Sequence, residues 1–194
     1  YIRQVTEAKP GNYLVFFPSY KMMTDVEAYF LEQKDSDTEI IEQSTHMTET
    51  QREEFLGHFK EQTSGTLVGF CVMGGIFGEG IDLKKDRLIG AIVVGPGLPQ
   101  VCNEREILRQ YYDKNQGEGF DYAFRYPGIN KVLQAAGRVI RTQEDRGIIL
   151  LLDERFLQVD YAPLFPREWK ERKVCNLKQI KEEVKRFWKE VEQE

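Results

Sequence analysis

The chain has 194 residues, with 27 Lys and Arg against 32 Asp and Glu, and a formal net charge of -5. This length predicts one domain, or two small ones at most. Because 41% of the residues are apolar and 30% are charged, the chain can bury a core, which excludes a disordered or fibrous protein. The negative charge excludes a uniformly basic nucleic-acid coat, but it is compatible with a local basic site.

The apolar runs, such as Leu14–Phe17 and Ile148–Leu152, are far shorter than the roughly 20 residues of a membrane helix. The cysteines are Cys71, Cys102 and Cys175. Their wide spacing predicts neither a disulfide framework nor a zinc site, and it favours a reducing cytoplasmic setting. Two isolated histidines do not predict a metal site either. The chain begins without methionine, which suggests a segment of a larger protein.

Short apolar runs alternate with helical patterns along the chain. Five runs are typical of strands buried on both faces, because they are nearly continuous in apolar residues. They are Leu14–Phe17, a short strand at Ile40–Ile41, Leu67–Met73, Leu88–Val94 and Gly147–Leu152. Strands that alternate with helices of about 10 to 15 residues predict right-handed βαβ units on a mostly parallel sheet. The predicted fold class is therefore α/β.

Several helices are predicted from apolar spacing and capping residues. The helix after the first strand places Met22, Met23, Val26, Tyr29 and Phe30 at helical spacing. Thr48 and Gln51 form a capping-box pattern before another helix, and a further helix covers Asn103–Asp113. The C-terminal helix at residues 177–192 is amphipathic, and we expect its apolar stripe to pack on the sheet. That stripe comprises Leu177, Ile180, Val184, Phe187, Trp188 and Val191.

A helix predicted at Gly128–Thr142 carries the most informative pattern. Its apolar stripe comprises Ile129, Val132, Leu133, Ala136 and Ile140. Gln134, Arg138 and Arg141 lie on the opposite face at i, i+4 and i+7. Gly137 lacks a side chain, so another backbone or a ligand can come close. Two guanidiniums one turn apart suit phosphate recognition, although a solvated helix face is the ordinary alternative for such a pair.

Four segments together resemble motifs of the superfamily 2 helicases, in the XPD/Rad3–DinG branch. Gln134–Arg141 resembles motif VI, and Phe16–Tyr20 resembles motif IV. Gly74–Asp82 resembles motif V, although taken alone it would be a glycine-rich turn leaving a strand. Asp153–Phe156 matches the Asp-x-Arg-Phe pattern that closes the last sheet strand in this family. The resemblance spans roughly residues 11–188.

The resemblance implies a RecA-like three-layer αβα sandwich, with residues 1–194 forming a single helicase C-terminal domain. The chain contains no G-x-x-x-x-G-K-[ST] loop to cradle the phosphates of ATP. Family kinship therefore implies that ATP and Mg²⁺ bind mainly on an N-terminal RecA-like lobe of the parent protein, and that the isolated segment is inactive. The iron–sulfur cluster of many relatives belongs to that first lobe and not to this chain.

The resemblance also implies roles for residues at the nucleotide. Arg138 and Arg141 would act as arginine fingers on the transferring γ-phosphoryl group, and Gln134 would position that phosphate or the attacking water. Asp82 would hydrogen-bond the nucleotide ribose or a finger arginine. The remaining nucleotide contacts implied are Glu79, Gly80 and Gly137.

Single-stranded DNA is the partner that the resemblance implies, with movement 5′→3′ along it. Ser19 and Tyr20 of motif IV and Gly78 of motif V are the expected contacts. Gly78 departs from the family pattern, because relatives commonly carry Ser or Trp at this position. Since the net charge is negative, we expect a narrow groove rather than a broad basic face.

Other functions fit parts of the same pattern. An RNA helicase or a translocase that does not unwind duplexes would use the same arginine chemistry. A RecA-like domain that only binds partners would leave the Gln134, Arg138 and Arg141 face covered by another chain, or far from a nucleotide cleft. A dinucleotide-dependent enzyme is a poor fit, because the glycines lack G-x-G-x-x-G spacing.

Overall fold

The fold is described from a computed structural model, which describes residues 1–33, 37–61, 65–77, 83, 85–140, 142 and 144–193. The strands are β1 (Asn12–Phe17), β2 (Thr38–Glu42), β3 (Thr66–Val72), β4 (Gly90–Val94) and β5 (Ile148–Leu152). The helices are α1 (Ile2–Ala8), α2 (Tyr20–Gln33), α3 (Glu49–Gly57), α4 (Asn103–Asn115), α5 (Tyr126–Ala136) and α6 (Ile180–Val191). Among the described helices, none is long and apolar enough to cross a membrane.

The five strands form one sheet in the order β2-β3-β1-β4-β5, and every pair is parallel. In this register Leu14 of β1 lies opposite Gly69 of β3 and Ala91 of β4. The prediction of an α/β fold with a mostly parallel sheet is confirmed. Since all strands run the same way, the residues that follow them lie at one edge of the sheet, which we call the carboxyl edge.

Apolar side chains cover both faces of the sheet, because successive residues of a strand point to opposite faces. On one face, α3 and α5 pack over side chains that include Leu14, Phe16 and Val93. On the other, α1, α2 and α6 pack over side chains that include Tyr13, Val15 and Ile92. The sheet therefore lies between two helical layers, and the prediction that the C-terminal helix packs on the sheet is confirmed.

Two predicted helix boundaries are wrong. The helix predicted at Gly128–Thr142 ends at Ala136, because Val139 turns into the core, where it is 2% exposed, while Ile140 is 48% exposed. A π-helical stretch at Asp121–Arg125 precedes it. The C-terminal helix begins at Ile180 rather than at residue 177, and Leu177 is 52% exposed outside the predicted stripe.

Candidate nucleotide and nucleic-acid site

The C-terminal end of α5 brings three of the predicted nucleotide-site residues together. Gly137 ends the helix, and its N–H donates to the carbonyl of Leu133 at 2.9 Å. The Nε of Arg138 donates to the carbonyl of Gln134 at 3.0 Å. A cation at a helix C-terminus also interacts favourably with the helix dipole. Gln134 and Gly137 are exposed and Arg138 is half-buried, so this end of α5 presents amide and guanidinium donors at the surface.

The second predicted finger, Arg141, lies outside the described residues. The same is true of Gly78, Glu79, Gly80 and Asp82 of motif V, so their predicted roles stay predictions.

The described residues on either side of the motif V segment are firmly held. Phe77 is 0% exposed and Leu83 is 2% exposed. The ring of Phe77 packs against that of Phe55 in α3, with ring centroids 4.3 Å apart. Both ends of the segment are therefore anchored in the core beneath the carboxyl edge.

Ser19 and Tyr20 lie at the carboxyl end of β1, where α2 begins. The Oγ of Ser19 accepts a hydrogen bond from the N–H of Met22 at 3.2 Å, so Ser19 caps α2 as its sequence pattern indicates. The hydroxyl of Tyr20 donates to the carbonyl of Ser44 at 3.3 Å. Burial is the main cause that raises the pKa of Tyr20 above its ordinary value. Both residues are half-buried, and their polar atoms already help to build the edge.

Gln43 is a residue of this edge that the sequence did not predict. It is 3% exposed and follows β2 directly. Its Oε1 accepts from the N–H of Val72 at 3.0 Å, and its Nε2 donates to the hydroxyl of Tyr20 at 2.8 Å. One side chain therefore joins the ends of β2 and β3 to the start of α2. The only signal in the sequence is a polar residue after a short apolar run, which does not reveal its partners.

Asp153 and Arg155 pair with each other at the end of β5. The Nε and Nη2 of Arg155 lie 2.8 Å and 2.7 Å from the two carboxylate oxygens of Asp153. The backbone N–H of Arg155 also donates to Asp153, at 2.9 Å. The hydrogen bond from the Arg155 side chain is the main cause that lowers the pKa of Asp153. The Asp-x-Arg-Phe pattern therefore makes a bidentate pair within the chain at this strand end.

The structure separates the predicted nucleotide contacts from the predicted DNA contacts. Helix α5 connects parallel strands, so it runs antiparallel to them. Its start lies at the carboxyl edge, where a β-carbon added to Gly128 would be 2.6 Å from the carbonyl of Pro96. At a rise of about 1.5 Å per residue, Gln134 lies about 9 Å farther along the axis. Gln134 and Arg138 are thus displaced from the strand ends that hold Ser19 and Tyr20.

Metal-binding chemistry is not evident in the part of the chain that the structure describes. No group of three or more His, Cys, Asp and Glu side chains there is arranged to hold a metal ion. The free cysteines are the buried Cys71, the half-buried Cys175 and the exposed Cys102.

Comparisons with known proteins agree with this architecture. Residues 2–172 match the family model of the helicase C-terminal domain. The chain is 29% identical over 164 residues to ATP-dependent DNA helicase YoaA of Haemophilus influenzae, covering 83% of the chain and 24% of that protein. It is 26% identical over 208 residues to ATP-dependent DNA helicase CHL1 of Scheffersomyces stipitis, covering 96% of the chain and 25% of that protein.

A solved structure named XPD_APO matches with a TM-score of 0.61 at 22% sequence identity, covering 83% of this chain and 33% of that one. This likeness supports the RecA-like α/β fold. The chain spans about a quarter of the length of these two helicases. By its match to the family model and its resemblance to these helicases, the chain belongs to the helicase C-terminal domain family of the XPD/Rad3 type.

Proposed function

We propose that the chain is the C-terminal motor lobe of an ATP-dependent DNA helicase that moves 5′→3′ along single-stranded DNA. Residues 1–194 form one RecA-like domain in this proposal, and the N-terminal RecA-like lobe of the same parent protein is its partner. The observation that carries the proposal is the surface placement of Gln134 and Arg138 at the end of α5, in a chain of this family.

In this proposal ATP is the substrate, bound with Mg²⁺ on the N-terminal lobe. Arg138 and Arg141 reach across the cleft and stabilise the charge on the transferring phosphoryl group, an effect worth on the order of 10³ to 10⁵ in rate. The bond from Arg138 Nε to Gln134 holds the start of the guanidinium in place, so that less side-chain freedom is lost on closure. Gln134 then orients the phosphate or the attacking water.

The motif V residues and Gly137 of motif VI complete the proposed cleft. Asp82 bonds the ribose or a finger arginine, while Glu79, Gly80 and Gly137 line the nucleotide. Ser19, Tyr20 and Gly78 contact the DNA strand from the carboxyl edge. Opening and closing of the two lobes with each hydrolysis moves the strand.

Substitution of the fingers in the full-length parent tests the proposal. We expect Arg141→Ala and Arg138→Ala each to lower DNA-stimulated ATPase activity by about a thousandfold. The melting temperature should change little in Arg138→Ala, because the hydrogen bond from Arg138 Nε to the carbonyl of Gln134 is exposed to solvent. Arg167→Ala, at an exposed arginine outside this surface, is the matched control and should keep full activity.

Unwinding assays with the parent on matched DNA and RNA forks, with either a 5′ or a 3′ single-stranded tail, then test two points. They test whether the parent acts on DNA or RNA, and in which direction it moves. ATPase activity that is indifferent to both finger substitutions would refute the motor role. A large loss of thermal stability in both variants would instead favour a purely structural role for these arginines.

A further inference from the structure

Lys131 of α5 lies between two turns at the carboxyl edge, the turn at Gly74 after β3 and the turn at Gly97 after β4. We call the line between these two turns the seam. A β-carbon added to Gly74, in the turn after β3, would lie 3.1 Å from Lys131 Cε and 3.5 Å from its Nζ. A β-carbon added to Gly97, in the turn after β4, would lie 3.5 Å from Lys131 Cβ. Both glycines have positive φ, at 70° and 63°. The aliphatic stem of Lys131 therefore fills space that only residues without side chains leave open.

The sheet order gives this seam its significance. Strand β1 lies between β3 and β4, so a side chain that spans the turns after β3 and β4 lies over the carboxyl end of β1. Ser19 caps α2 immediately after that strand end. Neighbouring strands are spaced by about 4.8 Å, so the seam and the start of α2 belong to one short stretch of the edge.

Lys131 also differs from neighbouring cations in its ion pairing. Three cations near this edge have carboxylate partners within 4 Å: Lys21 with Asp25, Arg125 with Asp121, and Arg155 with Asp153. Within the described ranges of the chain, Lys131 has no ion-pair partner, although it is half-buried. Because its stem packs over the turn at Gly74 while its charge has no carboxylate partner among the described residues, an anion outside this chain is its natural complement.

We propose that Lys131 binds a backbone phosphate of the single-stranded DNA at the carboxyl edge, an inference that rests on the proposed function. The turn at Gly74 is exposed and has no side chain at that glycine, which lets an extended polyanion approach closely. An ammonium is a compact charge that binds phosphate without reading the base, so the contact is independent of sequence. One such cation suits a chain whose net charge is -5, since affinity must then come from a few well-placed charges.

Salt dependence of DNA binding tests this contact in the full-length parent. A fluorescent 20-nucleotide oligo(dT) and a mixed-sequence oligonucleotide of equal length serve as probes, between 50 and 200 mM NaCl. We expect Lys131→Ala to weaken binding of both probes about three- to tenfold and to reduce the slope of log K against log salt by about 0.7, the value for one phosphate of a single strand. Lys131→Arg should restore the slope.

Lys189→Ala is the matched control, because Lys189 is an exposed lysine on α6 over the other face of the sheet. It should leave both affinity and slope unchanged. If Lys131→Ala folds poorly, Lys131→Gln keeps the stem over Gly74 while removing the charge, and the same loss of slope is expected.

The outcomes separate this inference from the proposed function. Wild-type binding with an unchanged slope in both Lys131→Ala and Lys131→Gln would overturn the phosphate contact and leave the helicase proposal intact. An increase in KM for ATP with an unchanged DNA slope would place Lys131 at the nucleotide and would also overturn it. A wild-type parent that binds neither probe would refute the DNA-binding part of the proposed function itself.

Discussion

Gln43 illustrates how a single buried amide can set the geometry of a strand end. Its carbonyl oxygen accepts from Val72 and its NH₂ group donates to Tyr20, so both ends of the amide are used. A β-carbon added to Gly75 would lie 2.9 Å from its Nε2, so the backbone of the turn after β3 passes close to the amide. The position of Tyr20 at the edge therefore depends on Gln43.

Removal of this amide should destabilise the domain measurably. Gln43→Ala leaves the partly buried N–H of Val72 without its partner, which we expect to cost about 1 kcal/mol in the free energy of unfolding. Tyr20→Phe should cost about 1 kcal/mol, and the double variant less than the sum, because the two side chains share a hydrogen bond. Urea denaturation measures all three. Gln110→Ala, at an exposed glutamine of α4, is the control, and an equal cost at both positions would contradict the assignment.

The local sequence pattern was sufficient to predict the contacts of some site residues but not of others. Ser19 follows a strand and a proline, a pattern typical of a helix N-cap, and in the structure it caps α2. Arg138 was singled out by its spacing from Gln134, and the structure places the two in contact. Gln43 and Lys131 were missed, because their partners are more than twenty residues away and become neighbours only through the strand order and register.

At the scale of elements, the strands were easier to predict than the helix ends. All five apolar runs form strands, with ends shifted by a few residues, because burial on both faces makes a strand continuously apolar. The end of α5 was missed because it depends on tertiary packing. Val139 fills a place in the core beside Gly147, where a β-carbon on that glycine would lie 2.2 Å from the Val139 side chain. Continued helix would instead have placed Ile140 on the core-facing stripe.

The contact between α2 and β2 makes the stability of this pair of elements dependent on pH. Glu27 of α2 and Glu42 at the end of β2 share a hydrogen bond. Burial first, and then this contact, raise the pKa of Glu27 to about 7. The folded chain therefore holds a proton that the unfolded chain releases near pH 4.5. The stabilisation is fully present below that pH and is lost as the pH rises through about 7.

Glu27→Gln should remove this pH dependence, because the amide can still donate to Glu42 but does not titrate. We expect the variant to match the wild type near pH 5 and to exceed it near pH 8 by about 1 kcal/mol or less, since solvent screens this partly exposed pair. Thermal unfolding across this range measures the difference. Glu53→Gln, on the exposed side of α3, is the control, and parallel profiles for wild type and Glu27→Gln would contradict the prediction.

At the scale of the whole molecule, ion pairs within the chain occupy several of the surface cations, while the proposed functional cations also lie at the surface. Ion pairs such as Lys181 with Glu7 and Lys9 with Glu192 join α1 to α6 and bring the two ends of the chain together. Surface pairs of this kind contribute little to stability, but the paired cations are less available to an external anion. Lys131 lies within α5 and Arg138 lies just beyond its C-terminal end, so the proposed DNA contact and the proposed nucleotide contact are at different points along one segment.

The proposed division of chemistry between two lobes leads to a prediction for the chain on its own. Because it lacks a phosphate-binding loop of the G-x-x-x-x-G-K-[ST] type, the purified 194-residue chain should bind ATP weakly and hydrolyse none of it. Addition of the N-terminal lobe of the parent as a separate polypeptide should restore some DNA-stimulated hydrolysis, and Arg141→Ala in this chain should abolish it. Phosphate release measures both, with the lobe alone as the control. Steady turnover by the chain alone would mean that its own residues bind and activate ATP, and the division of labour between two lobes would then be wrong.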